Sequence, residues 1–209
     1  MMLIILKSEA VMRYDTEHKQ KTRELVLQAA ARAIRSDGPD RVGVAGVMAE
    51  AGLTHGGFYA HFKSKDELVA AAIGQMFAQA SARLEHETAE RDPAEGLAAY
   101  VDFYLSKKHR DARGFGCPMA ALASDVPRLS GPAREQFALG VQQSTARLAD
   151  KLSALGHAEP EAAARSMIAE LIGALSLARI EPDAKRSDAI LAASRAQLKQ
   201  RFGMKASQQ

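Results

Sequence analysis

Seven prolines (Pro39, Pro93, Pro118, Pro127, Pro132, Pro160 and Pro182) partition the chain. The stretches between them carry apolar residues at three- and four-residue spacing. Proline is tolerated in the first turn of a helix and disfavoured inside one, so these positions read as joints between helices. No run of alternating β-branched residues competes with that reading. Alanine is abundant, aromatics make up 5% and Trp is absent, a bias that favours helices over pleated surfaces. The expected class is all-α, with about nine helices.

Local signals set the boundaries. A first helix is expected over 16–36, with Val26, Ala29, Ala30, Ala33 and Ile34 on its apolar side, stopped by Gly38 and Pro39. A short helix over 44–51 ends at Gly52, and Thr54 is a natural N-cap for another through 61. Ser64-Lys65-Asp66-Glu67 is a capping box opening a long helix to 88. Asp92-Pro93-Ala94-Glu95 opens the next, to 106. The basic stretch 107–116 reads as a loop. Helices are then expected from Pro118 to before Pro127, over 132–154, over 160–179 and over 187–201.

The chain has 209 residues, enough for one sizeable core or two small ones. A net charge of +3 is too small to argue for nucleic acid by itself, so the placement of the charges must carry that argument. One cysteine excludes an intrachain disulfide framework and fits a reducing cytoplasm. The apolar opening Met1–Lys7 is too short to span a bilayer, and no membrane association is expected. Residues 1–14 read as a disordered arm, with Met12 an alternative start. No nucleophile triad, phosphate-binding glycine loop or metal-ligand spacing appears, so neither an enzyme nor a cofactor site is expected.

Two short helices joined by a tight glycine turn have the geometry of a helix-turn-helix. Val44, Val47, Met48, Leu53, Phe58 and Phe62 would form its core, leaving Thr54, His55, Gly56, Gly57, Tyr59 and His61 to project outward. Gly56 and Gly57 each cost about 1 kcal/mol relative to Ala in a helix, which makes sense where the backbone must approach another surface closely. The bland alternative is a flexible loop between two packing helices.

The run Gly52-Leu53-Thr54-His55-Gly56-Gly57-Phe58-Tyr59-Ala60-His61-Phe62-Lys63-Ser64-Lys65-Asp66-Glu67-Leu68 closely resembles the signature of the TetR family of transcriptional regulators around its recognition helix. The likeness extends upstream through Thr22-Arg23-Glu24 and Ala29-Ala30 to Gly38. It implies a three-helix DNA-binding domain over 15–66, a regulatory and dimerisation domain over 67–203, and a short tail over 204–209. By resemblance, Thr54, His55, Gly56 and Gly57 would meet bases or phosphates. Tyr59 and His61 would lie against the DNA backbone, and Lys65 would meet a phosphate at a helix start. Arg41, Gly43 and Val44 open the preceding helix. Where the family often carries Ser or Thr hydroxyls, this chain has Val42 and Gly43, so only backbone N–H groups remain there. His55 also stands where a basic residue is usual. Phosphate attraction should therefore lean on Arg41, Lys63, Lys65 and the basic set Lys19, Lys21 and Arg23.

The resemblance further implies a homodimer on palindromic double-stranded DNA and a small-molecule effector. Ile168, Leu171, Ile172, Leu175, Ile190, Leu191, Ser194 and Leu198 are the candidate dimer face, each stripe reading equally as intramolecular core. Tyr100, Phe103, Tyr104, Met119, Leu122, Phe137 and Met167 are the large candidates for an effector pocket, and they hint at an apolar or neutral ligand. Cys117 falls at an expected helix start with Arg110 and Arg113 nearby in sequence, surroundings that activate a thiol, and it reads alternatively as a small buried residue or a simple N-cap. Its segment is similar to one found in family members that sense electrophiles. The function expected is a ligand-responsive repressor, released by a small molecule or a thiol-reactive electrophile. The alternative is a helical ligand- or partner-binding module without operator specificity.

Overall fold

The structure, a computed structural model, describes residues 2–204, with side chains described from residue 17 onward. Nine α-helices and three short 3-10 segments make up the described residues, and no strand is present among them. The α-helices are α1 (Met2–Asp37), α2 (Val44–Glu50), α3 (Lys65–Thr88), α4 (Pro93–Tyr104), α5 (Lys107–Asp111), α6 (Pro118–Leu122), α7 (Gly131–Ala154), α8 (Pro160–Ile180) and α9 (Ala184–Arg201). The 3-10 segments are His55–Ala60, Arg113–Phe115 and Val126–Arg128.

The expected disordered arm over 1–14 is corrected from residue 2 onward, because α1 runs unbroken from Met2. The physical reason is plain in the composition: no Gly or Pro interrupts residues 2–37, and Leu, Ala, Lys, Glu and Arg dominate. Residues 205–209 of the expected tail lie outside the described residues, while Met204 is buried against the core.

Local chemistry explains most boundaries. Gly38 and Gly52 take positive φ values of 85° and 74°, ending α1 and α2 as only glycine does without strain. Ser64 Oγ accepts the Glu67 N–H at 3.1 Å to start α3. Glu67 Oε2 in return accepts from Lys63 N–H at 2.7 Å, one residue earlier than the ideal box. Asp92 caps α4 by accepting from Ala94 N–H, with Pro93 in the first turn.

The stretch 107–116, expected as a loop, is instead α5 followed by a 3-10 turn. Ser106 Oγ caps its start by accepting from His109 N–H at 3.1 Å, and tertiary contacts hold its end. Arg179 of α8 donates to the carbonyls of Arg110 and His109, satisfying acceptors at the end of α5. Arg110 in turn reaches Ser187 and Asp188 of α9.

The N-terminal core gathers Val26, Ala30 and Ile34 of α1, Val47 and Met48 of α2, and Phe58, Phe62 and Leu68. α3 packs on α1 at this end and on α4 and α7 beyond it, so the expected division at 66/67 falls within its first turn. The larger core stacks α7 on α3 and α8, with α9 closing over α8. Phe77 and Phe137 meet edge to face at 5.2 Å between α3 and α7.

Candidate nucleic-acid interface and cavity

The segment after α2 turns at Gly52, where Leu53 N–H reaches back to the Met48 carbonyl at 2.8 Å. Phe58 and Phe62 then insert into the core, stacked at 5.7 Å. This anchoring decides which side faces out. Thr54, His55 and Gly56 are exposed, Gly57 is half-buried, and Tyr59 stands 73% exposed although it is a large aromatic. The recognition segment is a 3-10 helix rather than an α-helix, and Thr54 occupies its N-cap without a side-chain capping bond. Two successive glycines explain this: they favour no particular helix strongly enough to extend the turn. A Cβ on Gly56 would meet nothing within 4 Å, and one on Gly57 would touch Met48 at an ordinary 3.6 Å. Nothing inside the chain therefore requires either glycine.

Arg41, Gly43 and Lys63 are exposed around this segment, and Val44 is half-buried. Gly43 is the N-cap of α2 in an extended conformation and makes no side-chain cap. Lys65 reaches the Asp40 carbonyl at 3.4 Å, tying the start of α3 to the loop before α2. Lys19 and Lys21 are exposed on α1, while Arg23 lies over the Phe62 ring at 4.8 Å. His61 is half-buried, and its Nδ1 has no hydrogen-bond partner. Burial first, then the charges of Lys19 and Arg23, push the His61 imidazole below its ordinary pKa, so it is neutral at pH 7.

A cavity of about 340 Å³ opens between α1, α3, α4, α5 and α7. Tyr100, Phe103, Tyr104, Met119 and Cys117 line it. Leu122, Phe137 and Met167 do not: they fill the helix–helix core, where facing side chains leave no space. Of the candidate dimer face, Ile168 belongs to the cavity wall, and Leu171, Leu175, Leu191 and Leu198 are buried within the chain. Those four residues are intramolecular core, as the blander sequence reading allowed. Ile172, Ile190 and Ser194 remain partly exposed. The apolar surface left open on α8 is instead Leu177 and Ile180, the latter 76% exposed.

Sequence reasoning missed the cavity's polar wall. Arg35, near the end of α1, is only 6% exposed. It donates to the Gly114 carbonyl at 3.4 Å, the Met76 carbonyl at 3.3 Å and Gln79 Oε1 at 2.9 Å. Burial pulls its pKa down to about 10, with nearby Cys117 partly opposing, so it stays charged at pH 7. One signal pointed there: Arg35 follows Leu27 and Ala31 on the same buried helical stripe. Arg83, which lies 4.5 Å from the Phe103 ring, Lys108, His109 and Arg147 also line the space.

Cys117 is 6% exposed and fixed by a hydrogen bond from its N–H to His109 Nε2. The expected cations are not its neighbours in the way the sequence suggested. Arg110 is engaged by Asp111, Ser187 and Asp188, Arg113 is exposed, and α6 is only five residues long. Burial first, with the Cys117 thiol beside its buried hydroxyl, pushes the Tyr104 phenol well above its ordinary pKa. No group of His, Cys, Asp and Glu able to hold a metal ion occurs among the described residues. No described helix is long and apolar enough to cross a membrane.

The architecture defines a class: a small helix-turn-helix head joined through α1 and α3 to a larger helical body with an internal cavity. Residues 26–72 match the model of bacterial regulatory proteins of the tetR family. That match lies within the helix-turn-helix head and the first turns of α3. The HTH-type transcriptional regulator TtgR of Pseudomonas putida is 36% identical over 66 residues, 32% of this chain and 31% of that protein. The alignment thus spans about a third of that relative's length. LmrA of Bacillus subtilis, also an HTH-type transcriptional regulator, is 26% identical over 149 residues, 70% of this chain and 79% of its own. Among solved structures, a TetR-family regulator from Agrobacterium tumefaciens superposes with a TM-score of 0.73 at 25% identity, covering 88% of this chain and 98% of that one. The reduced form of NemR from E. coli gives 0.75 at 24%, covering 86% and 96%.

Proposed function

We propose that this chain is a cytoplasmic DNA-binding transcriptional regulator that acts as a homodimer and releases its operator when a small molecule occupies the cavity. The observation that carries this reading is Arg35. It lies on the first helix of the head, lines the cavity, and hydrogen-bonds to the Gly114 and Met76 carbonyls of the body. A ligand that engages Arg35 differently in two arrangements of the head biases the equilibrium between them, which is what effector control requires. The second link is Gly114: its Cβ position is 3.0 Å from both Arg32 Cγ and Ser36 Oγ, so the turn beside the cavity rests directly on α1.

On the DNA side, exposed Thr54, His55 and Gly56 read the groove, and exposed Tyr59 lies against the DNA backbone. Arg41, Lys63, Lys65, Lys19 and Lys21 attract phosphates. A two-fold protein on a palindrome places the two heads about 34–36 Å apart. Exposed Leu177 and Ile180 on α8, with the small residues Ala189, Ala193 and Ala196 exposed on α9, supply an apolar face for the partner. The chain acts by binding, without turnover.

The test is a fluorescence-anisotropy titration against the gene's own upstream region over a range of salt. Specific binding whose logarithm falls steeply with log salt supports the reading. A slope near zero, or equal affinity for unrelated DNA, favours a helical binding module without operator specificity, the alternative that Val42, Gly43 and His55 keep open.

A second effector class is favoured by the position of Cys117 in the cavity wall. There a thiol-reactive electrophile entering the cavity would alkylate it and release DNA. Identical electrophile responses in wild type and Cys117→Ser would remove that possibility.

A further inference from the structure

The charges around the cavity are one-sided. Arg35, Arg83, Lys108 and Arg147 line it, and no Asp or Glu does. Arg83 is partly neutralised by Glu87 at 3.2 Å. Lys108 and Arg147 make no ion pair among the described residues. Arg35 is the decisive group. A buried guanidinium is costly unless a carboxylate or equivalent anion compensates it. All three of its acceptors are neutral, and its Nε has no partner. A second buried donor, the Tyr104 hydroxyl, belongs to the same wall and has only the weakly accepting Cys117 thiol beside it. Around these polar atoms, Tyr100, Phe103 and Phe115 supply aromatic surface.

We propose that the cavity takes an organic anion: an apolar, preferably aromatic body carrying a carboxylate that pairs with Arg35, and not the neutral ligand that side-chain hydrophobicity suggests. The inference rests on the cavity being the effector site. Both Nη2 hydrogens of Arg35 are already donated, so one carboxylate oxygen accepts from the free Nε–H and the other can take the Tyr104 hydroxyl. Exposed Lys108 and Arg147 raise the local concentration of anions at the mouth. The apolar body separates this ligand from a free inorganic anion, which would satisfy Arg35 but leave the aromatic wall unfilled.

The experiment is isothermal titration of the full chain, without DNA, with 2-naphthoate and 4-phenylbutyrate, their neutral amides, and inorganic phosphate. Carboxylates should bind about tenfold or more tighter than their amides and than phosphate. That preference should vanish in Arg35→Gln. It should shrink severalfold, with a smaller salt dependence, in the double variant Lys108→Gln/Arg147→Gln, whose exposed positions leave folding intact. Should Arg35→Gln fail to fold, the rim variant alone decides. Equal binding of acid and amide, no binding of either acid, phosphate binding as tightly as naphthoate, or an unchanged preference in the rim variant each overturns the proposal. DNA binding is measured on the same preparation. Lost anion binding with retained operator binding removes only this inference, and lost operator binding removes the regulator reading.

Discussion

His109 Nε2 accepts the Cys117 N–H at 3.1 Å while His109 Nδ1 lies 2.7 Å from the Tyr104 carbonyl oxygen. Both ring nitrogens are thus committed, and only the neutral tautomer with the proton on Nδ1 satisfies both partners. A second proton on Nε2 would confront the Cys117 N–H. Burial is the main force holding the His109 pKa below its ordinary value. The Tyr104 carbonyl partly opposes it, and the charges of Arg179, Arg35 and Arg83 add to it. A folded-state pKa below the unfolded one means the unfolded chain takes up the proton first. The stability from this group is therefore complete above about pH 6.5 and is lost as pH falls toward the folded value. His61 shifts in the same direction, for burial and the charges of Lys19 and Arg23. Urea midpoints should fall between about pH 7.5 and about pH 5.5, and His109→Gln should flatten part of that decline. An unchanged pH profile in the variant would remove His109 from the account.

Gly140 of α7 faces Phe77 of α3 so closely that a Cβ there would overlap the ring. Phe77 is itself held edge-on by Phe137 and cannot swing away freely. Gly140→Ala should destabilise the chain by about 1–3 kcal/mol, despite the better helix propensity of alanine. Equilibrium denaturation that shows a gain in stability would mean the ring relocates at little cost.

Gly56 meets no such obstacle within its own chain. Gly56→Ala should leave stability unchanged or raise it by about 0.5–1 kcal/mol. DNA affinity should nevertheless fall about tenfold or more, because the added methyl group stands where the backbone approaches the groove. Anisotropy titration paired with thermal unfolding separates the two effects. A variant that binds as tightly as wild type would show that this glycine does not serve DNA contact.

Ile180 and Leu177 are exposed apolar side chains on α8. Leu177→Glu/Ile180→Glu should convert the proposed dimer to a monomer in light scattering while leaving the helical content intact, since neither residue supports the core. Persistence of the dimer would place the interface elsewhere.

How far these features were visible in the residues depends on how local their causes are. The turn at Gly52, the Ser64 cap and the start of α4 at Pro93 depend on groups within a few positions, and all were legible. α5 was not, because Arg179 and Asp188, from helices far along the chain, hold it in place. The dimer stripes misled for a related reason. Leu171, Leu175, Leu191 and Leu198 recur at helical spacing whether they face a partner or their own core, and here they face the core. Arg35 reads as an ordinary basic residue in a last turn until Met76, Gln79 and Gly114 close around it. The charge of the cavity was therefore hidden, while its aromatic residues could be guessed from size alone.

The arginine that reaches from α1 into the body also bears on engineering. A head cut from this chain and spliced onto a relative's body would leave behind the residues that Arg35 contacts, and the recipient's own pocket would lose one of its walls. Chimaeras joined at the start of α3 should bind the donor's operator yet no longer answer the recipient's inducer. Moving the head together with the α3 turn that carries Met76 and Gln79 and the 113–116 turn is the minimum transplant that keeps command and response in the same molecule.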